Sequence, residues 1–150
     1  MRELLDGEEL SAKEGTTLLL LTATSAGWPH VAMLSVGELL AISATQLRAA
    51  LWPASTATCN LTSTGQATIA LVYKGVAYYL RCRARRGPDL EVPSSEAGLA
   101  FFDLELEEVL EDVVPYAELT SGVTFRLVDS SESIARWEER IAALRAAGSG

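Results

Sequence analysis

The sequence predicts a mainly β protein, a small antiparallel barrel decorated by short helices. Three observations carry that expectation. About seven segments have strand character, and Gly- or Pro-bearing turns separate them. Long helices alternating with strands, which parallel βαβ units need, are absent. Ser130–Ala146 carries Ile134, Trp137, Ile141 and Leu144 on one helical stripe, which predicts a C-terminal helix.

Residues 1–14 read as a charged N-terminal arm or short helix. Thr17–Thr24 is apolar and partly β-branched, and reads as a strand. A turn at Ser25–Pro29, a strand at His30–Val36, a tight turn at Gly37–Glu38 and a strand at Leu39–Ala44 follow. Such short turns predict an antiparallel meander. Gln46–Trp52 looks helical and stops at Pro53, since proline cannot continue a helix interior. Ser55 or Thr56 would then cap a short helix running to about Ser63, closed by Thr64–Gly65.

Gln66–Tyr73 and Val76–Arg85 are strands joined at Lys74–Gly75. In the second, Tyr79, Arg81, Arg83 and Arg85 share one parity, while Tyr78, Leu80, Cys82 and Ala84 share the other. That alternation predicts a half-buried strand with one cationic face. Residues 86–98 are rich in Gly, Pro and Ser and read as a surface loop. Leu99–Val109 alternates and reads as a strand, Val113–Thr120 as a turn around Pro115, and Val123–Val128 as a strand. Ser131 or Ser133 would cap the last helix, residues 130–146, and the final GSG is a tail. No repeat or long linker divides the chain, so residues 1–150 form one domain.

With 49% hydrophobic residues the chain can build a core without disulfides. It has 12 basic and 20 acidic residues and a net charge of −8. That argues against nucleic acid, whose phosphates need a basic face, and against an anionic membrane surface. The longest apolar run, Leu18–Leu21, is far too short to span a bilayer. MRELLDGEEL lacks the basic-then-apolar order of a signal peptide, so a cytoplasmic protein is expected. Cys59 and Cys82 allow at most one disulfide, and without a CxxC pair no zinc site is supported.

No GxSxG, GxGxxG or GxxxxGK[ST] motif is present. His30 is the only histidine, and no positioned partner makes it a base, so it reads first as a surface or interface residue. Asp89, Glu91 and the Glu run at 105–111 are spread by strand alternation along a solvated face, so no metal site is expected. The remaining candidate is WPASTATCNL, residues 52–61, which is rich in hydroxyls and uncharged. Helix N-termini bind anions through unpartnered N–H groups and a positive dipole end. Ser55, Thr56 and Thr58 would add donors, and Arg48 lies just upstream. The plainer reading, which spacing alone favours, is an N-cap with small packing residues.

GWPHVAML, a strand ending in SAT, then STATCNL, GQATIALVY and VAYYLRCRAR follow one another in an order that resembles the pyridoxamine 5′-phosphate oxidase-like, FMN-binding split-barrel family. The resemblance covers roughly residues 17–128. It implies a split barrel of six to seven antiparallel strands, a homodimer, and FMN in a groove at the dimer interface. The cofactor residues it implies are His30, Val31, Ala32 and Met33 on one strand and Ser43 and Thr45 at the end of the next. It assigns the phosphate to Ser55, Thr56, Thr58 and Asn60, with Arg48 replacing a missing cation. Where many relatives carry Arg and Lys after the first hydroxyl, this chain has Thr56 and Ala57, and where the oxidases proper carry Arg and Lys on the second strand, it has His30 and Ser35. The residues that hold pyridoxal phosphate near the C-terminus have no clear equivalent, so pyridoxamine phosphate oxidation is not carried over. The resemblance implies an FMN-binding redox protein, a flavin-dependent oxidoreductase or flavin reductase of unassigned substrate. The alternatives are a non-enzymatic split-barrel dimer that has lost flavin, or a relative holding a deazaflavin or haem.

Overall fold

The computed structural model describes residues 1–148. The last two residues of the expected tail, Ser149 and Gly150, lie outside the described residues. Eight strands form one antiparallel sheet: β1 Leu18–Ala23, β2 Pro29–Leu34, β3 Leu39–Ala41, β4 Gln46–Leu51, β5 Gln66–Tyr73, β6 Val76–Arg86, β7 Leu90–Val92 and β8 Ser95–Asp112. Their order is β2-β1-β5-β6-β8-β4-β3, with β7 on β8. Two helices, α1 Thr56–Thr64 and α2 Ser130–Ala146, complete the fold, with two short 3₁₀ turns at the N-terminus. No helix among the described residues is long and apolar enough to cross a membrane.

The two ends of the sheet, β2 and β3, are consecutive in the chain. Only the turn Ser35–Glu38 joins them, so the sheet must curl until its edges meet. The result is a half-closed barrel, split between β2 and β3. Glu38 holds the turn: its Oε2 accepts the Ser35 N–H at 2.6 Å and the Ser35 hydroxyl at 3.0 Å. The Glu38 carbonyl accepts the Ala50 N–H at 3.0 Å, which ties the turn to β4. Inward-facing Leu18, Leu20, Ile69, Leu80, Phe102 and Leu104 fill the barrel and are almost fully buried.

α2 covers part of the outside. It lies against β3, β4 and β7, and Trp137, Ile141 and Leu144 are buried beneath it. Leu40 and Ala50, on the outer face of β3 and β4, are buried too. A Cβ at Gly37 would come within 2.1 Å of the Trp137 ring, so only glycine lets α2 dock on the turn.

Several elements match the sequence closely: α1, β5, β6 and α2, and the Gly65 closure of α1 in the left-handed region. Others need correction. Gln46–Trp52 is strand β4, because the slot between β8 and β3 supplies partners for all six residues of Gln46–Leu51 and overrides local helical preference. β1 and β2 form the expected hairpin, but β3 pairs with β4, so the meander stops after two strands. Residues 86–98 contain β7, which zips onto the start of β8. Val123–Val128 forms no strand. One bridge, Thr16 to Thr124, is all the pairing it makes, and Val128 is fully exposed. Asp129, in place of Ser131 or Ser133, caps α2 by accepting the Glu132 N–H at 3.0 Å. Residues 1–14 form two 3₁₀ turns that bury Leu4, Leu5 and Leu10. Cys59 and Cys82 are both free, so the possible disulfide is not made.

Gly37→Ala should therefore displace Trp137 and cost about 1–3 kcal/mol, as overpacking does. Urea unfolding followed by tryptophan fluorescence measures it. An unchanged midpoint would mean that the turn and α2 are not in this contact.

Candidate functional site

Two contacts orient α1. Asn60 Nδ2 donates to Thr22 Oγ1 on β1 at 3.0 Å. Just beyond the helix, the Gly65 carbonyl accepts the Ala84 N–H of β6 at 2.8 Å. The helix thus lies against β1 and β6, and it also touches β2. His30 stands opposite Thr22 in the β1–β2 register, so the two side chains share the face beside α1. Ala32 shares that parity. Val31 and Met33 take the other face and are 52% and 71% exposed.

The hydroxyls of the capping stretch mostly serve the cap itself. Ser55 Oγ accepts the Thr58 N–H at 3.1 Å and donates to Thr58 Oγ1 at 3.0 Å. Thr58 Oγ1 donates to the Trp52 carbonyl at 2.7 Å. Thr62 and Thr64 bond back to carbonyls four residues earlier. Thr56 remains exposed on the first turn.

The structure does not bring Arg48 to this helix terminus. Arg48 lies on β4 and directs Nη1 at the carbonyls of Leu144, 2.8 Å, and Arg145, 3.3 Å, with Nε 3.4 Å from Asp103. A cation at a helix C-terminus offsets its negative dipole end. The expectation that Arg48 replaces a missing phosphate cation is corrected accordingly: its charge is already committed to α2. Ser43 and Thr45 lie in the β3–β4 hairpin, where Ser43 Oγ accepts the Thr45 N–H at 3.2 Å. Ser43 lines a cavity of about 50 Å³ with Met1, Leu5 and Leu106, apart from α1.

What α2 leaves open is the outer face of β2, β1, β5 and β6. Residues directly opposite across antiparallel strands share a face. One row reads Met33, Leu19, Ala70, Tyr79 and Leu110; the next reads Val31, Leu21, Thr68, Arg81 and Glu108. The first row is apolar. Beside the second is a groove of about 360 Å³, lined by Leu21, Ala23, Pro29, Gln66, Thr68 and Arg81 among others. Trp28, at 75% exposure, projects from the β1–β2 hairpin beside Pro29.

Sequence reasoning missed Gln66, Thr68 and Arg81 as a group. Alternation assigns Arg81 to an outward face, but only the β1–β5–β6 register brings it beside Thr68 and Leu21. Arg81 Nη1 lies 2.7 Å from Glu108, and Arg83 Nε lies 2.6 Å from Glu107. The hydrogen bond that Arg83 donates to Glu107 raises the Arg83 pKa. These pairs are about half exposed, and such pairs contribute little, so Arg81 is available to a stronger anion. Behind the groove, burial pushes the Cys82 thiol up to about 12, and the Glu107 charge adds to that. Its S–H points to the Leu80 carbonyl at 3.5 Å.

No protein-family model matches the chain. It is 38% identical over 143 residues to the uncharacterized protein YclD of Bacillus subtilis (strain 168), covering 95% of this chain and 92% of YclD. The chain belongs to the YclD family. Among solved structures, this YclD-family chain is similar to a candidate pyridoxamine 5′-phosphate oxidase of Lactobacillus delbrueckii, with a TM-score of 0.56 at 16% identity over 73% of this chain and 92% of that one. It is similar also to an F420 reductase, with a TM-score of 0.53 at 12% identity over 69% and 97%. At such identities the likeness is one of fold. The YclD-family chain has the pyridoxamine 5′-phosphate oxidase-like split barrel that its sequence resemblance implied.

The two thiols should separate cleanly. Cys59 is exposed on α1, while Cys82 is buried and protonated at neutral pH. Titration with a thiol-reactive chromophore should show one fast equivalent, removed by Cys59→Ser, and a second only in denaturant. Two fast equivalents in the native protein would contradict the burial of β6.

Proposed function

We propose that the chain is a homodimeric, cytoplasmic, FMN-binding redox protein whose flavin lies on the outer sheet face that α2 leaves open. One observation carries this reading: a half-exposed apolar row runs alongside a groove whose far end is polar. The residues fit the two ends of a flavin. A ring system needs an apolar wall, which Leu21, Ala23 and Pro29 offer, and hydrogen-bonding partners at its amide edge, which Gln66 and Thr68 offer. A phosphate needs a cation, and Arg81 is the one in the groove, where the Glu107 carboxylate, paired with Arg83, also lines the wall. About 360 Å³ falls within the range of about 300–1,000 Å³ usual for ligand sites. The bound flavin would supply the electron chemistry, and the protein its position and surroundings. On this reading Val31 and Met33, more than His30, flank the ring, because His30 faces α1. The two free thiols fit a reducing compartment.

A second copy would cover the row of Met33, Leu19, Ala70 and Tyr79. Aromatic residues and Met are enriched in interface cores, and an open apolar row of this kind is otherwise a liability. Light scattering should give twice the 16.0 kDa chain mass, and Met33→Lys should shift it toward the monomer. A monomer in the unmodified protein would remove the proposed interface.

The resemblance favours a second position for the phosphate, the first turn of α1, where Thr56 and the leading amides are available. Titrations with FMN and riboflavin separate the two. Arg81→Gln should weaken FMN by about 1.5–3 kcal/mol, one to two decades, and leave riboflavin unchanged. If Thr56→Val has that effect instead, the phosphate sits on α1. If neither flavin changes its absorbance with the protein, the flavin reading fails and a non-enzymatic dimer stands in its place.

A further inference from the structure

We propose that the free edge of β8, residues 107–112, is a docking site for an extended basic segment of another protein, which adds there as a further strand. The two neighbours of β8 differ in reach. β6 pairs with it from Phe102 to Asp112, whereas β4 pairs with its other edge only from Ala100 to Glu105. The last bond on that other edge runs from the Leu106 N–H to the Thr45 carbonyl at 2.8 Å. Beyond it Glu107, Glu108, Val109, Leu110, Glu111 and Asp112 have no backbone partner on that side among the described residues, and all six are exposed. A strand edge of this kind presents a row of unpaired N–H and C=O groups, which is a template for another strand.

Proline and bulges, which blunt such edges, are absent from it. The register shift between Arg81 and Cys82 lies at its start, and from Glu108 to Asp112 the pairing with β6 is unbroken. Charge is present, and of one sign: four of the six residues are acidic. That charge excludes one occupant and selects another. Two copies of the edge paired antiparallel about Leu110 would set Glu108 against Asp112. Paired about the Val109–Leu110 bond, they would set Glu108 against Glu111 and Glu107 against Asp112. Like charges directly opposite are destabilising, and opposite charges are favourable. Arg81 and Arg83 hold Glu108 and Glu107 at 2.7 and 2.6 Å, but among the described residues no cation is paired with Glu111 or Asp112. The net charge of −8 also draws basic segments to this chain.

The residues of the edge specify the segment. Glu108, Leu110 and Asp112 stand opposite Arg81, Tyr79 and Ala77 on β6, and Val109 and Glu111 opposite Leu80 and Tyr78. An incoming antiparallel strand, read from its N-terminus, meets Asp112, Glu111, Leu110, Val109 and Glu108 in turn. Cross-strand complementarity then asks for basic, basic, apolar, apolar and basic residues. Such a strand lies in the plane of the sheet, so it leaves the row of Met33, Leu19, Ala70 and Tyr79 to the second copy.

The probe is the peptide acetyl-Lys-Arg-Val-Ile-Lys-amide, titrated into the full chain and followed by the chain's amide chemical shifts. It should bind saturably, with shifts centred on residues 107–112. Two comparators carry backbone N-methyl groups on alternate residues, one at the first, third and fifth and the other at the second and fourth. Both keep every charge, but only one loses the N–H groups that face β8, so one should bind at least tenfold more weakly than the other. Glu111→Lys combined with Asp112→Lys should weaken the parent peptide at least tenfold and leave the thermal midpoint unchanged, because both side chains are exposed. Absence of saturable shifts, equal binding by acetyl-Glu-Glu-Val-Ile-Glu-amide, or indifference to the double substitution would overturn the proposal. Both methylated peptides binding as well as the parent would also overturn it, leaving charge attraction without strand pairing. If the same amides shift with protein concentration alone, a second copy occupies the edge and the proposal fails.

Discussion

The turn Ser35–Glu38 governs the rest of the molecule. It joins the two edge strands of the sheet, so its geometry decides that the sheet closes into a barrel and where the barrel splits. Glu38 works in three directions. Its carboxylate folds back on Ser35, its carbonyl takes the β4 amide of Ala50, and its other oxygen lies 3.9 Å from Arg140 on α2. Gly37 gives the Trp137 ring its seat. Closure of the barrel and docking of α2 are thus coupled through four residues.

That coupling also determines which surface is left. α2 covers the outer face of β3 and β4, and Arg48 fastens its C-terminal carbonyls from below. The outer face of β2, β1, β5 and β6 has no such cover. Its apolar row and neighbouring groove follow from the register of four strands, and no single segment contains them. At its other end the segment after β8 returns to the sheet, where Thr16 bridges Thr124 and the Phe125 N–H reaches the Gly15 carbonyl.

Much of this was legible in the sequence where local chemistry decides. Gly65 and Ser55 mark α1 because an N-cap hydroxyl and a left-handed glycine are local requirements. The alternation of Tyr78 to Arg85 gives β6 its two faces. The failures lie where distant partners decide. β4 carries Gln, Arg and Ala, residues at ease in a helix, and becomes a strand only because β8 and β3 flank it. Val123–Val128 has the composition of a strand but finds one bridging partner, Thr16. Within the candidate site, the hydroxyl run at residues 52–61 fits an anion site as well as the cap that its spacing favours. Only the structure shows Ser55 and Thr58 bonded to each other and to Trp52, and Arg48 turned away to α2. Gln66, Thr68 and Arg81 come from two strands, and no motif spacing marks them.

On the proposed reading, the open half of the sheet face is the functional face. A crystal structure of the protein grown with FMN tests it most directly. Two copies should pack through the row of Met33, Leu19, Ala70 and Tyr79, with the flavin ring against Val31 and Leu21. Copies packed through α2, or a flavin bound away from that face, would contradict it.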